Sequence, residues 1–202
     1  MCGRFLLTED LSALKIRYAI PDEETVLYAP SPEIFPSQRI PVIYRVEHRN
    51  HLEMMDWGFP KPYEKGLLIN ARGETAASKP TFRKPFMEGR CLIPANGFFE
   101  WKSDEGRKVK FRIRRQDGHI FSMAGLWKTA SDPKGSPANP VCVIITTAPT
   151  SWMAEIHKRM PVILDEETEN MWLDPDQKDP EFLTSLLKPF DPEGSVLIAE
   201  KV

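Results

Sequence analysis

Cysteine is scarce in this sequence and long apolar runs are missing. Its 202 residues include 3 cysteines, Cys2, Cys91 and Cys142. An odd, widely separated set makes neither a disulfide framework nor zinc-ligand spacing, and it suits a reducing compartment. The longest apolar stretch, Val141 to Ile145, is far short of the ~20 residues that cross a bilayer. Met1-Cys2-Gly3-Arg4-Phe5 is soon followed by Glu9 and Asp10, so no secretory leader is expected and the reading is cytoplasmic. Neither charge sign dominates, the formal net charge being −2. The balance is uneven, however: residues 161–202 carry −8 and residues 1–160 carry +6. A local basic face that meets a polyanion is compatible with that distribution, as is an ordinary solvated surface.

Proline is abundant, 19 of 202, against a usual share of about 5 %. Because proline ends helices and avoids central strands, many short elements joined by rigid loops are expected. Thr8 to Tyr18 places Leu11, Leu14 and Tyr18 at helical spacing, with Thr8 as cap and Pro21 as stop. Ile40 to Val46 and His51 to Met55 read as a hairpin around Glu47-His48-Arg49-Asn50. Further strands are expected at 90–93, 97–102, 108–114, 120–126 and 141–147, with turns at Asp104-Glu105-Gly106 and Asp117-Gly118. Short helices are expected at 74–77, 153–157 and 181–187, and an exposed loop at 131–140. The class is α+β: a twisted, largely antiparallel sheet or open β-barrel with peripheral short helices, in one domain spanning 1–202.

The residue that attracts chemistry is Cys2. A small residue after the initiator methionine favours removal of Met1, which would leave Cys2 as a terminal 1,2-aminothiol. Its α-amine, with an ordinary pKa of about 7.7 to 8.0, retains a neutral fraction at physiological pH. The adjacent thiol supplies a second nucleophile. Such a pair is matched to aldehydes: the amine condenses to an imine and the thiol closes on the same carbon, giving a five-membered thiazolidine. A buried, unreactive cysteine is the plainer alternative.

Several motifs follow in order along the chain. They are Met1-Cys2-Gly3-Arg4-Phe5, Trp57-Gly58-Phe59, Ile69-Asn70-Ala71-Arg72-Gly73-Glu74-Thr75, the run Arg90 to Trp101, Ala124-Gly125-Leu126-Trp127, and the run Ile156 to Leu164. Together they resemble the SRAP (SOS response-associated peptidase) family over nearly the whole chain. The resemblance implies covalent capture of abasic sites in single-stranded DNA, with Cys2 as nucleophile forming a thiazolidine cross-link that is open to reversal. It further implies Asn70 as the amide that orients Cys2, Glu100 as proton carrier and His157 as the acid that opens the sugar ring. For DNA it points to Arg4, Arg72 and Arg159 as phosphate clamps, Trp57 and Pro36 as platforms for bases, and Thr146 as a phosphate donor. Trp101 and Trp127 read as packing residues. Asp56 stands where the family usually has a basic residue, and Pro149 where asparagine is common.

Two other functions remain open on the residues alone. One is a cysteine peptidase or amidase, with His157 as base and Met1 as a self-processing target. The other is a noncatalytic sensor of single-stranded DNA. No cofactor or metal is expected, since His48, His51 and His119 carry no ligand motif. The expected partner is single-stranded DNA containing abasic sites, bound by a monomer at the nucleoid and not at a membrane.

Overall fold

Residues 2–61, 64–131, 137–190 and 197–202 are described by the structure, a computed structural model. The chain opens with β1 (Phe5–Leu7), α1 (Leu11–Tyr18), β2 (Ser31–Ile34), and the pair β3 (Arg39–Val46) and β4 (Arg49–Trp57). Then come β5 (Phe59–Pro60), β6 (Leu67–Leu68), β7 (Asn70–Arg72), α2 (Gly73–Ala76) and α3 (Pro80–Glu88). The middle of the chain forms β8 (Arg90–Ala95), β9 (Gly97–Asp104), β10 (Arg107–Arg115), β11 (Phe121–Ser131) and β12 (Pro137–Thr147). It ends with α4 (Ser151–Ala154), β13 (Met160–Pro161), β14 (Ile163–Leu164), α5 (Glu166–Leu173), α6 (Pro180–Ser185) and β15 (Leu197–Lys201).

Two turns set the strand pairing. Glu47 and His48 both take positive φ, 46° and 63°, which is the twist a two-residue hairpin needs; Val46 therefore faces Arg49 across the pair. Glu105 and Gly106 repeat the device, with φ of 44° and 79°, between β9 and β10. One antiparallel sheet has the order β15-β10-β9-β1-β2. In the other, β12, β4, β3, β8 and β11 are neighbours in turn, and β11 also pairs with β12. The five strands thus close into a ring, where the sequence allowed an open barrel or a sheet. The pairing is antiparallel except where β12 runs parallel to β4 and β7, so the α+β, largely antiparallel class holds. Within the ring Gly125 must be glycine. A Cβ there would lie 2.9 Å from both Cys91 Sγ and Ile93 Cδ1, inside van der Waals contact.

Strand β8 is buried along its whole length, including Arg90. Among the described residues that guanidinium has no carboxylate in bonding contact and donates to carbonyls instead: Trp172 at 2.6 Å, Asp174 at 2.5 Å, Gln177 at 3.3 Å, Phe86 at 3.2 Å and Met87 at 3.0 Å. These belong to the ends of α3 and α5 and the turn beyond, where helical carbonyls lack intrahelical partners. Arg90 therefore ties two peripheral helices to the barrel.

Several local expectations shift. Helix α1 is capped by Asp10, not Thr8: its side chain accepts from Ala13 N, and Ala19 in the left-handed region ends the helix before Pro21. The helix expected at 153–157 lies earlier, at Ser151–Ala154, because the Thr150 side chain caps it by accepting from Met153 N. Helices α3 and α5 were not anticipated. Helix α3 carries Pro80 in its first turn and Pro85 inside it; proline at a helix start costs nothing. In α5 the first-turn acids Glu166, Glu167 and Glu169 read as surface charge, yet they follow the capping Asp165 and suit the positive end of the helix dipole. The loop expected at 131–140 is shorter, since β11 reaches Ser131 and β12 starts at Pro137; residues 132–136 lie outside the described residues.

Candidate functional site

Cys2 is placed by the strand that follows it. Strand β1 is inserted between β9 and β2, Phe5 facing Phe98 and Ile34, and Phe99 N donates to Arg4 O at 2.9 Å. This seats the start of the chain against β9, whose Glu100 is 2 % exposed. Cys2 itself is fully buried. Asn70 opens β7, held parallel to β12 opposite Ile144, and its Nδ2 donates to Cys2 O at 3.0 Å. The Asn70 Oδ1 is buried and has no hydrogen-bond partner among the described residues. His157 follows α4 and brings Nε2 to 3.8 Å from Glu100 Oε2. Four residues expected to work together, Cys2, Asn70, Glu100 and His157, are therefore brought together from four separate parts of the chain.

Burial shapes the ionisation of this cluster. It raises the Cys2 thiol pKa, and the Glu100 charge pushes it the same way, so the group is a neutral thiol at pH 7. Burial also lifts the Glu100 carboxyl to about 7, where it can both give and take a proton. The His157 pKa is lowered, again chiefly by desolvation. His157 Nδ1 lies 3.2 Å from the donating Arg159 N and 3.1 Å from Arg159 O. When Nδ1 accepts from the amide, the ring proton sits on Nε2, towards Glu100.

The DNA candidates separate into accessible and buried. Arg72 is exposed and Pro36 is half-buried. Arg4 is partly exposed and donates to Glu33 Oε1 at 2.8 Å, with its guanidinium 4.3 Å from the Phe35 ring centroid. Arg159 makes a two-pronged pair with Glu74, at 2.5 and 2.8 Å, and donates to Thr146 O at 2.6 Å. Two expectations need correction. Trp57 is completely buried, edge-on to Phe5 and donating from Nε1 to Ile69 O at 3.0 Å. It offers no face to a base and instead fixes the residue before Asn70. Thr146 is 1 % exposed and its hydroxyl lies 3.4 Å from both Ala71 O and the Arg159 guanidinium, so it braces Arg159 from inside and offers no surface for a phosphate.

Sequence reasoning missed the carboxylates that hold these cations. Glu74 lies within a quoted motif, two residues after Arg72, and was open to notice. Glu33 carries no motif, and only the β1–β2 pairing brings it to Arg4. A metal-type donor set was also missed: His48, Asp174 and Asp176 place ligand atoms within 4.8 Å of one another. It shares no residue with the site, and His48 Nε2 pairs with Asp176 at 3.4 Å.

Comparison with known proteins identifies the family of this chain. The chain is 41 % identical over 201 residues to the abasic site processing protein YoqW of Bacillus subtilis, covering 95 % of this chain and 88 % of that one. It is 32 % identical over 178 residues to the abasic site processing protein YedK of Escherichia coli, covering 86 % and 79 %. A solved structure of a protein from Bacteroides thetaiotaomicron superposes with a TM-score of 0.86 at 28 % identity, covering 100 % of this chain and 92 % of that one. The family model described as SOS response associated peptidase (SRAP) matches residues 1–202, and the chain belongs to that family.

Proposed function

We propose that this protein captures abasic sites in single-stranded DNA by forming a thiazolidine between Cys2 and the aldehyde of the opened sugar. The observation that carries the reading is the convergence on Cys2: the Asn70 amide bonded to its carbonyl, the Glu100 charge acting on its thiol, and His157 beside Glu100. Relatives bearing the name abasic site processing protein support the lesion as target.

Removal of Met1 would free the Cys2 amine. The neutral amine adds to the aldehyde carbon to give a carbinolamine, and protonated Glu100 donates to its hydroxyl as water leaves and the iminium forms. The resulting carboxylate then takes the thiol proton while sulfur bonds the same carbon, which leaves a neutral ring nitrogen and Glu100 protonated as at the start. The balance is one C–N bond, one C–S bond and one water released. Reversal runs the same steps backwards with Glu100 again carrying the proton. His157 donates to the ring oxygen of the closed sugar to expose the aldehyde; its lowered pKa makes the imidazolium a stronger acid. The Asn70 Oδ1, buried beside Cys2, is available to accept from the freed amine.

A peptidase mechanism would need a Cys2 thiolate, and burial works in the opposite direction. The test uses single-stranded DNA with one abasic site and reads intact mass and denaturing-gel mobility. Wild-type protein is expected to form an adduct of protein plus DNA less water, and Cys2→Ala and a form with one extra residue before Cys2 are expected to form none. An equal adduct from the extended form would overturn ring closure. Peptide cleavage dependent on Cys2, without DNA adduct, would establish the peptidase.

A further inference from the structure

We propose that the outer face of the five-stranded sheet is a second contact surface for single-stranded DNA, carrying the strand away from the lesion along β10. This rests on the proposed capture of abasic single-stranded DNA, with Arg4, a phosphate clamp that the family resemblance implies, where the path begins.

The two faces of this sheet differ sharply. Phe5, Phe98 and Ile113 point to one side and are completely buried. On the other side Trp101 lies opposite Lys110 and Phe99 opposite Arg112, with Arg114 two residues on; Arg4 reaches the same surface, its guanidinium 5.3 Å from the Trp101 ring centroid. The cations of β10 recur at every second residue, about 6.7 Å apart along the strand, a repeat suited to successive phosphates of an extended chain. Their side chains stay accessible: Arg4 37 %, Lys110 25 %, Arg112 38 % and Arg114 30 %. Phe35, 39 % exposed, stands beside Arg4 and, with the half-buried Trp101, gives ring faces on which unpaired bases can stack.

Charge on this face indicates an anionic occupant. Arg4 and Lys110 share Glu33, both at 2.8 Å, and Arg112 and Arg114 share Glu200, at 2.7 and 2.5 Å. Four cations thus face two carboxylates. Each carboxylate sits where two donors converge, the arrangement a phosphate oxygen uses. Hydrogen bonds from Arg114 and Arg112 hold the Glu200 carboxyl down at about 2. The excess positive charge, the strand-length row and the rings together favour single-stranded nucleic acid over a duplex, whose bases are already stacked.

Binding of the full protein to undamaged oligonucleotides, measured by fluorescence anisotropy at several salt concentrations, tests this. Strands of about 5 and about 25 nucleotides bracket the length one such surface holds. The double variant Lys110→Gln, Arg112→Gln should bind the long strand about 10-fold more weakly and flatten the logarithmic salt dependence by about 1.4, for two phosphate contacts. Adduct formation on a short abasic strand should stay as in wild type. Glu200→Gln should tighten long-strand binding, a gain that damage to the fold would not produce. Unchanged affinity and salt dependence in the double variant, no tightening in Glu200→Gln, or equal competition by duplex would each overturn the inference. If wild-type protein forms no adduct, the capture chemistry fails, while the anisotropy result still decides whether this face binds DNA.

Discussion

At the scale of single residues, the proposed capture assigns Glu100 both reactivity and pH response. Its carboxyl, lifted by burial to about 7, is protonated below neutrality and charged above it. The proposed capture needs the acid for loss of water and the neutral amine for attack, and an α-amine ordinarily has a pKa near 8. The rate of adduct formation should therefore peak between about pH 7 and 8, read from initial rates in buffers across that range. Glu100→Gln should lose the limb near 7 and slow capture by about 10²-fold. Stability responds with a definite sign. A carboxyl raised in the folded state adds most stability below its ordinary pKa of 4.5 and loses it as pH rises through about 7. Relative to wild type, Glu100→Gln should gain up to about 3 kcal/mol between pH 4 and pH 8, measured by urea unfolding at each pH. None of this could be read from sequence. Cys2, Asn70, Glu100 and His157 were legible as a set through their motifs, but ionisation depends on burial, and burial depends on which strands close over them. The same limit explains Trp57, an aromatic that looked like a platform because nothing in Trp57-Gly58-Phe59 announces that the ring is sealed against Phe5.

At the scale of elements, local signals identified the long strands β3, β4 and β8 to β12, and missed the shorter strands and the helices α3 and α5. The two hairpins were legible because Glu47-His48 and Glu105-Gly106 carry turn chemistry, and their observed φ values supply it. Helix α3 was not, because proline inside a segment ordinarily argues against a helix, whereas here Pro80 occupies the first turn. What keeps α3 and α5 in place lies elsewhere: Arg90, on a buried strand, bonds carbonyls at the ends of both. Arg90→Met removes those donors and leaves several carbonyls unsatisfied, so it should cost about 3 kcal/mol or more in chemical denaturation. Arg90→Lys should recover only part, since an ammonium cannot reach carbonyls in so many directions. By contrast, Asp10→Ala removes one capping bond to Ala13 N and should cost about 1 kcal/mol in the same measurement.

At the scale of the whole molecule, the barrel closes through strands that are not all consecutive, and its fit is tight at Gly125, where a side chain would strike Cys91 and Ile93. Gly125→Val should fail to yield folded protein, or should lower the unfolding temperature by well over the roughly 4 °C that about 1 kcal/mol represents for a chain of this size, as followed by circular dichroism. The antiparallel character was legible from the spacing of strands and turns; the closure was not, because the parallel contacts of β12 with β4 and β7 join segments with no mutual pattern. The placement of β1 carries a temporal consequence. As the ribosome delivers the chain, Phe5 emerges long before Phe98, the residue it must face. Until β9 is made, β1 has only β2 beside it, and Cys2 lies open to whatever carbonyl compounds the cell contains. A newborn chain that lost its methionine early would be vulnerable to small metabolic aldehydes, and completion of the sheet is what shelters it. Protein unfolded in urea should consequently scavenge formaldehyde faster at its first residue than the native form does, a contrast that peptide mapping can register.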